Sequence, residues 1–307
     1  MKMAFLGLGG VGGYFGAKLA RTYAGSTDTE VIFLARKKTA EIISQNGIQL
    51  ITPGEKFTAH PHRVCSQAKD AGIADFLICS VKSYDLEESL GHFAACIGPQ
   101  TVILPLQNGI DAPGRIRKMF PHANTWQGCV YIVAHRISPG IVEETADIHK
   151  MFFGADASQQ SKVQQLHEIF VRAHNDIFTP ENIESVVWEK FVFISPLASL
   201  TTYFDQSIGN VLADETRVAL LRQLIAEIIA VAQACRISLP ENIADLTWTK
   251  ITRLPFEATS SMHRDSQAGG KTEVRSLTGH VIDLAKQHGV SVPGYELVLK
   301  GLALLQQ

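Results

Sequence analysis

The sequence predicts an α/β first half built on a mostly parallel sheet, followed by an all-helical second half. Short apolar runs alternate with longer amphipathic or polar segments through the first half, and beyond about Phe178 the apolar residues recur at three- and four-residue steps. A third observation is the glycine cluster Gly7-Leu8-Gly9-Gly10-Val11-Gly12, set directly after the first apolar run.

The runs Met3 to Leu6, Val31 to Leu34, Phe76 to Val81, Val102 to Leu106 and Cys129 to Ala134 read as strands of a mostly parallel sheet, with crossover helices between them. Tyr14 to Tyr23 reads as the first of those helices. In the second half Val218, Leu221, Ile225, Ile228 and Ala232 mark one face of a helix in a stretch free of Gly and Pro. Thr179-Pro180-Glu181-Asn182 has the chemistry of a turn and helix start, so the expected domains are 1–178 and 179–307. Pro240-Glu241 and Pro293-Gly294 mark later breaks between helices.

Composition narrows the function classes. With 28 Lys plus Arg against 30 Asp plus Glu, the net charge of −2 offers no broad field for nucleic acid or an anionic membrane, so neither is an expected partner. The five cysteines are odd in number and include no C-x-x-C pair, which argues against a disulfide framework and a zinc site. His60-Pro61-His62 lacks further ligands at metal-binding spacing and reads as a surface loop, so no metal is expected. The apolar stretch Met3 to Leu8 is too short for a signal sequence and no run reaches membrane-spanning length, which points to the cytoplasm.

Gly7 to Gly12 matches G-x-G-x-x-G, with a strand before it, a helix after it and a second strand at Glu30 to Ala35. That context identifies a Rossmann turn: Gly7 for the tight turn, Gly9 for close approach of a pyrophosphate, Gly12 for helix-to-strand packing, and a helix N-terminus for its N–H donors. Leu8, Gly10 and Val11 complete the expected cofactor-binding loop. An NAD-selective site would end its second strand in an acid; here Ala35 is followed by Arg36-Lys37-Lys38. A guanidinium meets a 2′-phosphate with paired charge-assisted hydrogen bonds, so Arg36 favours NADPH.

Further polar residues fall where a ligand would sit. Lys82 and Gln107-Asn108-Gly109 follow strands, and ligands of parallel sheets bind beyond the strands' carboxyl ends; singly, each also fits an ordinary surface loop. Lys190 stands beside Phe191, Val192 and Phe193, where it either snorkels to solvent or lies in a dry site from which it gives up a proton more readily. Thr259-Ser260-Ser261-Met262 and Lys271-Thr272-Glu273 bracket Gly269-Gly270 and read either as a cap and a solvated charge or as groups for a small polar acid.

Taken in order, G-x-G-x-x-G, Val81-Lys82, Gln107-Asn108-Gly109, Trp188-Glu189-Lys190, Thr259-Ser260-Ser261-Met262 and Thr272-Glu273 resemble the motifs of the ketopantoate reductase (2-dehydropantoate 2-reductase) family across nearly the whole chain. The resemblance implies an N-terminal Rossmann domain, a C-terminal helical domain, and NADPH-dependent reduction of ketopantoate in pantothenate biosynthesis. It implies Lys190 as the catalytic proton donor, and Asn108, Lys190, Ser261 and Glu273 as substrate-binding residues. Lys82, Asn108, Ala134 and Glu273 join the glycine turn and Arg36 at the cofactor. The expected partner is a small keto acid, and the resemblance also allows a homodimer.

This chain departs from the family at three positions. Ile194 and Ala198, four and eight residues after Lys190, replace asparagines that help to bind the substrate, and Ile208 replaces another polar group of the pocket. Those replacements point toward a related, less polar 2-keto acid. They also keep open a hydroxyacid dehydrogenase acting on another keto acid and a non-catalytic, NADPH-binding regulatory protein.

Overall fold

The computed structural model describes residues 1–305. The chain divides into two compact units, Met1–Gln107 with Ala112–Ile183, and Asn108–Asp111 with the chain from Glu184 onward.

The first unit opens with β1 (Lys2–Leu6), α1 (Gly10–Thr22), β2 (Glu30–Leu34), α2 (Lys37–Asn46), β3 (Ile48–Ile51), β4 (Lys56–Ala59), β5 (Arg63–Cys65) and α3 (Ala68–Ala71). It continues through β6 (Phe76–Cys79), α4 (Leu86–His92), β7 (Val102–Pro105), α5 (Ala112–Met119), β8 (Asn124–Thr125), β9 (Gln127–Ser138), β10 (Ile141–Gly154), α6 (Gln160–Arg172) and β11 (Asp176–Phe178). Six strands form a parallel sheet in the order β5-β2-β1-β6-β7-β8. In β6 and β7 every residue is buried, and in β1 and β2 all but the first, which is why they read as continuous apolar runs rather than alternating ones.

The run Cys129 to Ala134 is a strand, but of a second sheet. It lies in β9, which pairs antiparallel with β10, Cys129 opposite Phe152. That sheet runs β11-β10-β3-β4, with β9 added on β10. An apolar run does not reveal the direction of its partner. Helix α1 is buried from Gly12 to Ala20, and one core joins its Phe15 to Phe5 and Phe33 of the parallel sheet and to Val142, Met151 and Phe153 of β10. The half-metal motif has a structural use: His62 Nδ1 accepts from the Val31 backbone N–H at 3.1 Å, and its Nε2 lies 3.1 Å from the Ser26 carbonyl.

The second unit is helical: α7 (Ile183–Tyr203), α8 (Ile208–Leu212), α9 (Glu215–Ala234), α10 (Ile243–Thr252), α11 (Ser261–Gln267), α12 (His280–His288) and α13 (Pro293–Leu305), with a π-helical turn at Arg275–Gly279. Thr179 to Asn182 precede α7, and Pro293 takes the first position of α13, where its missing N–H costs nothing. Helix α9 buries Leu221, Ile225, Ile228 and Ala232 of the expected stripe, with Leu224 and Val231 beside them, while Val218 at its start is only half-buried. Pro196 sits inside α7. The adjacent Ser195 hydroxyl donates to the Leu277 carbonyl at 2.7 Å, tying α7 to the π-helical turn. Among the described residues, no helix is long and apolar enough to cross a membrane.

Candidate active site

In the first unit the glycine turn lies between the carboxyl end of β1 and the start of α1. Gly7 adopts φ +94°, and a Cβ there would stand 2.5 Å from the Val81 nitrogen, so side chains are barred by conformation and by space. The Ser80 hydroxyl donates to the Gly7 carbonyl at 2.7 Å and fixes the turn against the end of β6. Gly10 packs onto the Ala134 carbonyl with no room for a Cβ, which sets Ala134 beside the loop. Gly9, the N-cap of α1, differs: a Cβ built on it meets no protein atom within 4 Å. The turn therefore presents bare backbone and a helix N-terminus to open space, a cradle that suits a pyrophosphate.

Arg36 is exposed at the N-cap of α2, immediately beyond β2, and its guanidinium pairs with Glu88 of α4 at 3.0 Å. Lys37 and Lys38 are exposed beside it. Lys82 is half-buried just beyond β6, as the N-cap of a short 3-10 turn. Gln107, at the end of the unit's first segment, is buried and donates to Cys79 Sγ at 3.3 Å.

In the second unit Lys190 is 7% exposed, so it does not snorkel to solvent. Its Nζ donates a hydrogen bond to Asn108 Oδ1 at 2.8 Å. The Asn108–Asp111 segment is fastened by the Ser276 hydroxyl, which donates to Asp111 Oδ2 at 2.9 Å, and Gly109 makes the bend with φ +97°. Ser276 belongs to the π-helical turn that follows Glu273, whose carbonyl accepts the Ser276 and Leu277 N–H groups. Glu273 is buried. Ser261 opens α11 and is half-buried, behind the capping hydroxyl of Ser260. Along α7, Ile194 is half-buried and Ala198 buried; Ile208, at the start of α8, is fully buried.

The expected residues thus fall into two groups: the glycine turn, Arg36, Lys82 and Ala134 in the first unit, and Asn108, Lys190, Ser261 and Glu273 in the second. The structure brings Asn108 and Lys190 into direct contact. Sequence reasoning missed Glu88 as the partner of Arg36 and the Ser276–Asp111 tether, since both join residues far apart in the chain with no spacing rule. It also missed Glu144, Asp147 and His149, whose ligand atoms lie within 4.8 Å of one another where the β9–β10 register shifts. Glu144 Oε1 there accepts the Ala146 and Ile148 N–H groups and closes that irregularity.

Comparison with known proteins decides the family. Residues 3–158 match the ketopantoate reductase PanE/ApbA family, and residues 182–306 match its C-terminal domain. The chain belongs to the ketopantoate reductase family. It is 26% identical to the uncharacterized oxidoreductase YkpB of Bacillus subtilis, over 100% of this chain and 99% of that protein. The crystal structure of 2-dehydropantoate 2-reductase from Porphyromonas gingivalis W83 superposes with a TM-score of 0.85 at 30% identity, covering 99% of each chain. The fold is shared as well with a D-mandelate dehydrogenase determined with NADH and anilino(oxo)acetate, TM-score 0.87 at 20% identity, covering 100% of this chain and 98% of that one. The chain is accordingly an oxidoreductase of the ketopantoate reductase type, with the family's Rossmann domain followed by its helical domain.

Proposed function

We propose that this ketopantoate reductase family member is an NADPH-dependent reductase of a 2-keto acid, either ketopantoate or a related acid with a less polar tail, and that Lys190 is its proton donor. The observation that carries this reading is the buried Lys190 ammonium, held at 2.8 Å by the Asn108 carboxamide oxygen.

The glycine turn Gly7 to Gly12 would bind the pyrophosphate of the cofactor through the backbone N–H groups of α1, and Arg36 the 2′-phosphate. Lys82, Ala134, Asn108 and Glu273 would complete the cofactor contacts. When bound, the reduced nicotinamide supplies the hydride. Negative charge then grows on the ketone oxygen, and an ammonium in a dry environment both stabilises that charge and delivers the proton, leaving a 2-hydroxy acid and a neutral Lys190 that takes its proton back from solvent. The Asn108 amide oxygen can only accept, so it turns one ammonium hydrogen away from the substrate and restricts where the other two point.

Ser261 and Glu273 would hold the acid's polar groups. Ile194 and Ala198, on the Lys190 helix, offer no hydrogen bond, which supports the less polar substrate. The test is to follow NADPH absorbance with purified protein and a panel of 2-keto acids that includes ketopantoate and acids with branched aliphatic or aryl tails. Turnover of one or more is expected, with the apolar members preferred. Tight NADPH binding without turnover of any would replace this reading by that of a regulatory protein.

A further inference from the structure

A hydrogen-bond network in the helical unit reaches the turn that carries Ser261. His263, the third residue of α11, is 3% exposed. Its Nε2 lies 2.7 Å from Asp205 Oδ1, just past the end of α7, and its Nδ1 is in close contact with the Thr259 hydroxyl. An ionised carboxylate only accepts, so in the neutral imidazole the proton sits on Nε2, and Nδ1 accepts from Thr259. The Asp205 carboxyl is held below its usual range, first by the His263 hydrogen bond and then by Gln267. Beside this pair, Ser260 Oγ accepts the His263 backbone N–H and lies 3.0 Å from Thr201 Oγ1. Thr201 is on α7, about three helical turns beyond Lys190. Farther back, the Ala258 and Phe256 carbonyls accept the Ile208 and Gly209 N–H groups, each at 2.9 Å. The segment from Phe256 to His263 is therefore fastened to α7, to α8 and to Asp205, and Ser261 stands near its end.

We infer that His263 is a positioning residue of the keto-acid site: by bridging Asp205 to Thr259 it locks the first turn of α11, and with it the Ser261 hydroxyl, onto the helix that carries Lys190. This inference rests on the keto-acid reading above. It differs from a purely structural role because its effect must pass through Ser261.

Steady-state kinetics with the best keto acid, together with NADPH dissociation constants, would be measured for the wild type, His263→Leu, His263→Gln, Ser261→Ala and the double variant. His263→Leu, which removes the bridge between Asp205 and Thr259 and leaves Asp205 only its Gln267 bond, should raise KM for the keto acid roughly tenfold, with kcat within about threefold and NADPH affinity unchanged. His263→Gln retains an N–H for Asp205 and should recover most of the loss. In the Ser261→Ala background, removing His263 should add nothing to KM. Multiplying KM effects, or NADPH affinity falling in step with KM, would overturn the inference. Should His263→Leu fail to fold, Asp205→Asn carries the same test at an exposed position whose φ of +51° Asn tolerates, with a smaller rise in KM expected. Absence of turnover by the wild type would remove the keto-acid reading and this inference with it, whereas turnover with independent effects removes the inference alone.

Discussion

Lys190 Nζ donates to Asn108 Oδ1 across 2.8 Å, joining the middle of α7 to a loop residue 82 positions earlier. Hydrogen bonds to charged groups contribute about 1.5–3 kcal/mol, and about 1.4 kcal/mol is a factor of ten in rate. Asn108→Ala should therefore lower kcat/KM roughly tenfold to a hundredfold. Steady-state kinetics checks this, and a change below about twofold would mean that the bond does not orient the proton donor.

Arg36 and Glu88 form an exposed pair, with side chains 68% and 74% accessible, so the contact is weak and readily exchanged. If Arg36 reads the 2′-phosphate, Glu88 competes for it. Glu88→Gln should tighten NADPH binding by about twofold to fivefold and leave NADH unchanged, and Arg36→Ala should weaken NADPH more than about tenfold with little effect on NADH. Titrating both cofactors against each variant checks the assignment; equal effects on the two would refute it.

The acid side of the stability profile follows from carboxylates held by arginines. Arg63 donates to Glu30 at 2.5 Å and Arg115 Nη2 to Glu87 at 2.5 Å, and these hydrogen bonds hold both carboxyls below their ordinary range. A group whose pKa is depressed by folding adds stability that is present above its unfolded value, about 4.3 for Glu, and is lost as pH falls through the folded value. The melting temperature should accordingly drop below about pH 4, and Glu30→Gln should be less stable than the wild type at pH 7 but approach it in acid. A variant whose deficit persists undiminished at low pH would contradict this origin.

Cys65, Cys79, Cys96 and Cys129 are buried, and Cys235 is partly exposed. Burial pushes the Cys79 and Cys96 thiols up to about 11, so neither supplies thiolate near neutrality. Alkylation of the native protein followed by mass spectrometry should modify Cys235 first, with the rest reacting only on unfolding. Early labelling of Cys79 would show that the end of β6 opens in the native state.

The sequence displayed what local pattern encodes. Gly7 to Gly12 announced a strand-turn-helix because φ +94° at Gly7 and the close approach of the Ala134 carbonyl at Gly10 are demands only glycine meets. The Val218-to-Ala232 stripe announced α9 by its period. What was not legible depends on partners distant in the chain. Cys129 to Ala134 reads as an apolar strand in either sheet, and only its pairing with β10 decides. Taken alone, Lys190 fits a solvated lysine as well as a buried one, and its burial becomes visible only with Asn108 folded against it. His263 carried no signal of its own, because its partner Asp205 stands 58 residues earlier and no motif links the two.

Proton donation by Lys190 underlies the proposed reaction. Its most direct test is Lys190→Ala, assayed for turnover of the best keto acid and for NADPH binding. The kcat should fall by roughly 10²–10⁴ with the NADPH dissociation constant unchanged. Turnover within a few-fold of the wild type would contradict it.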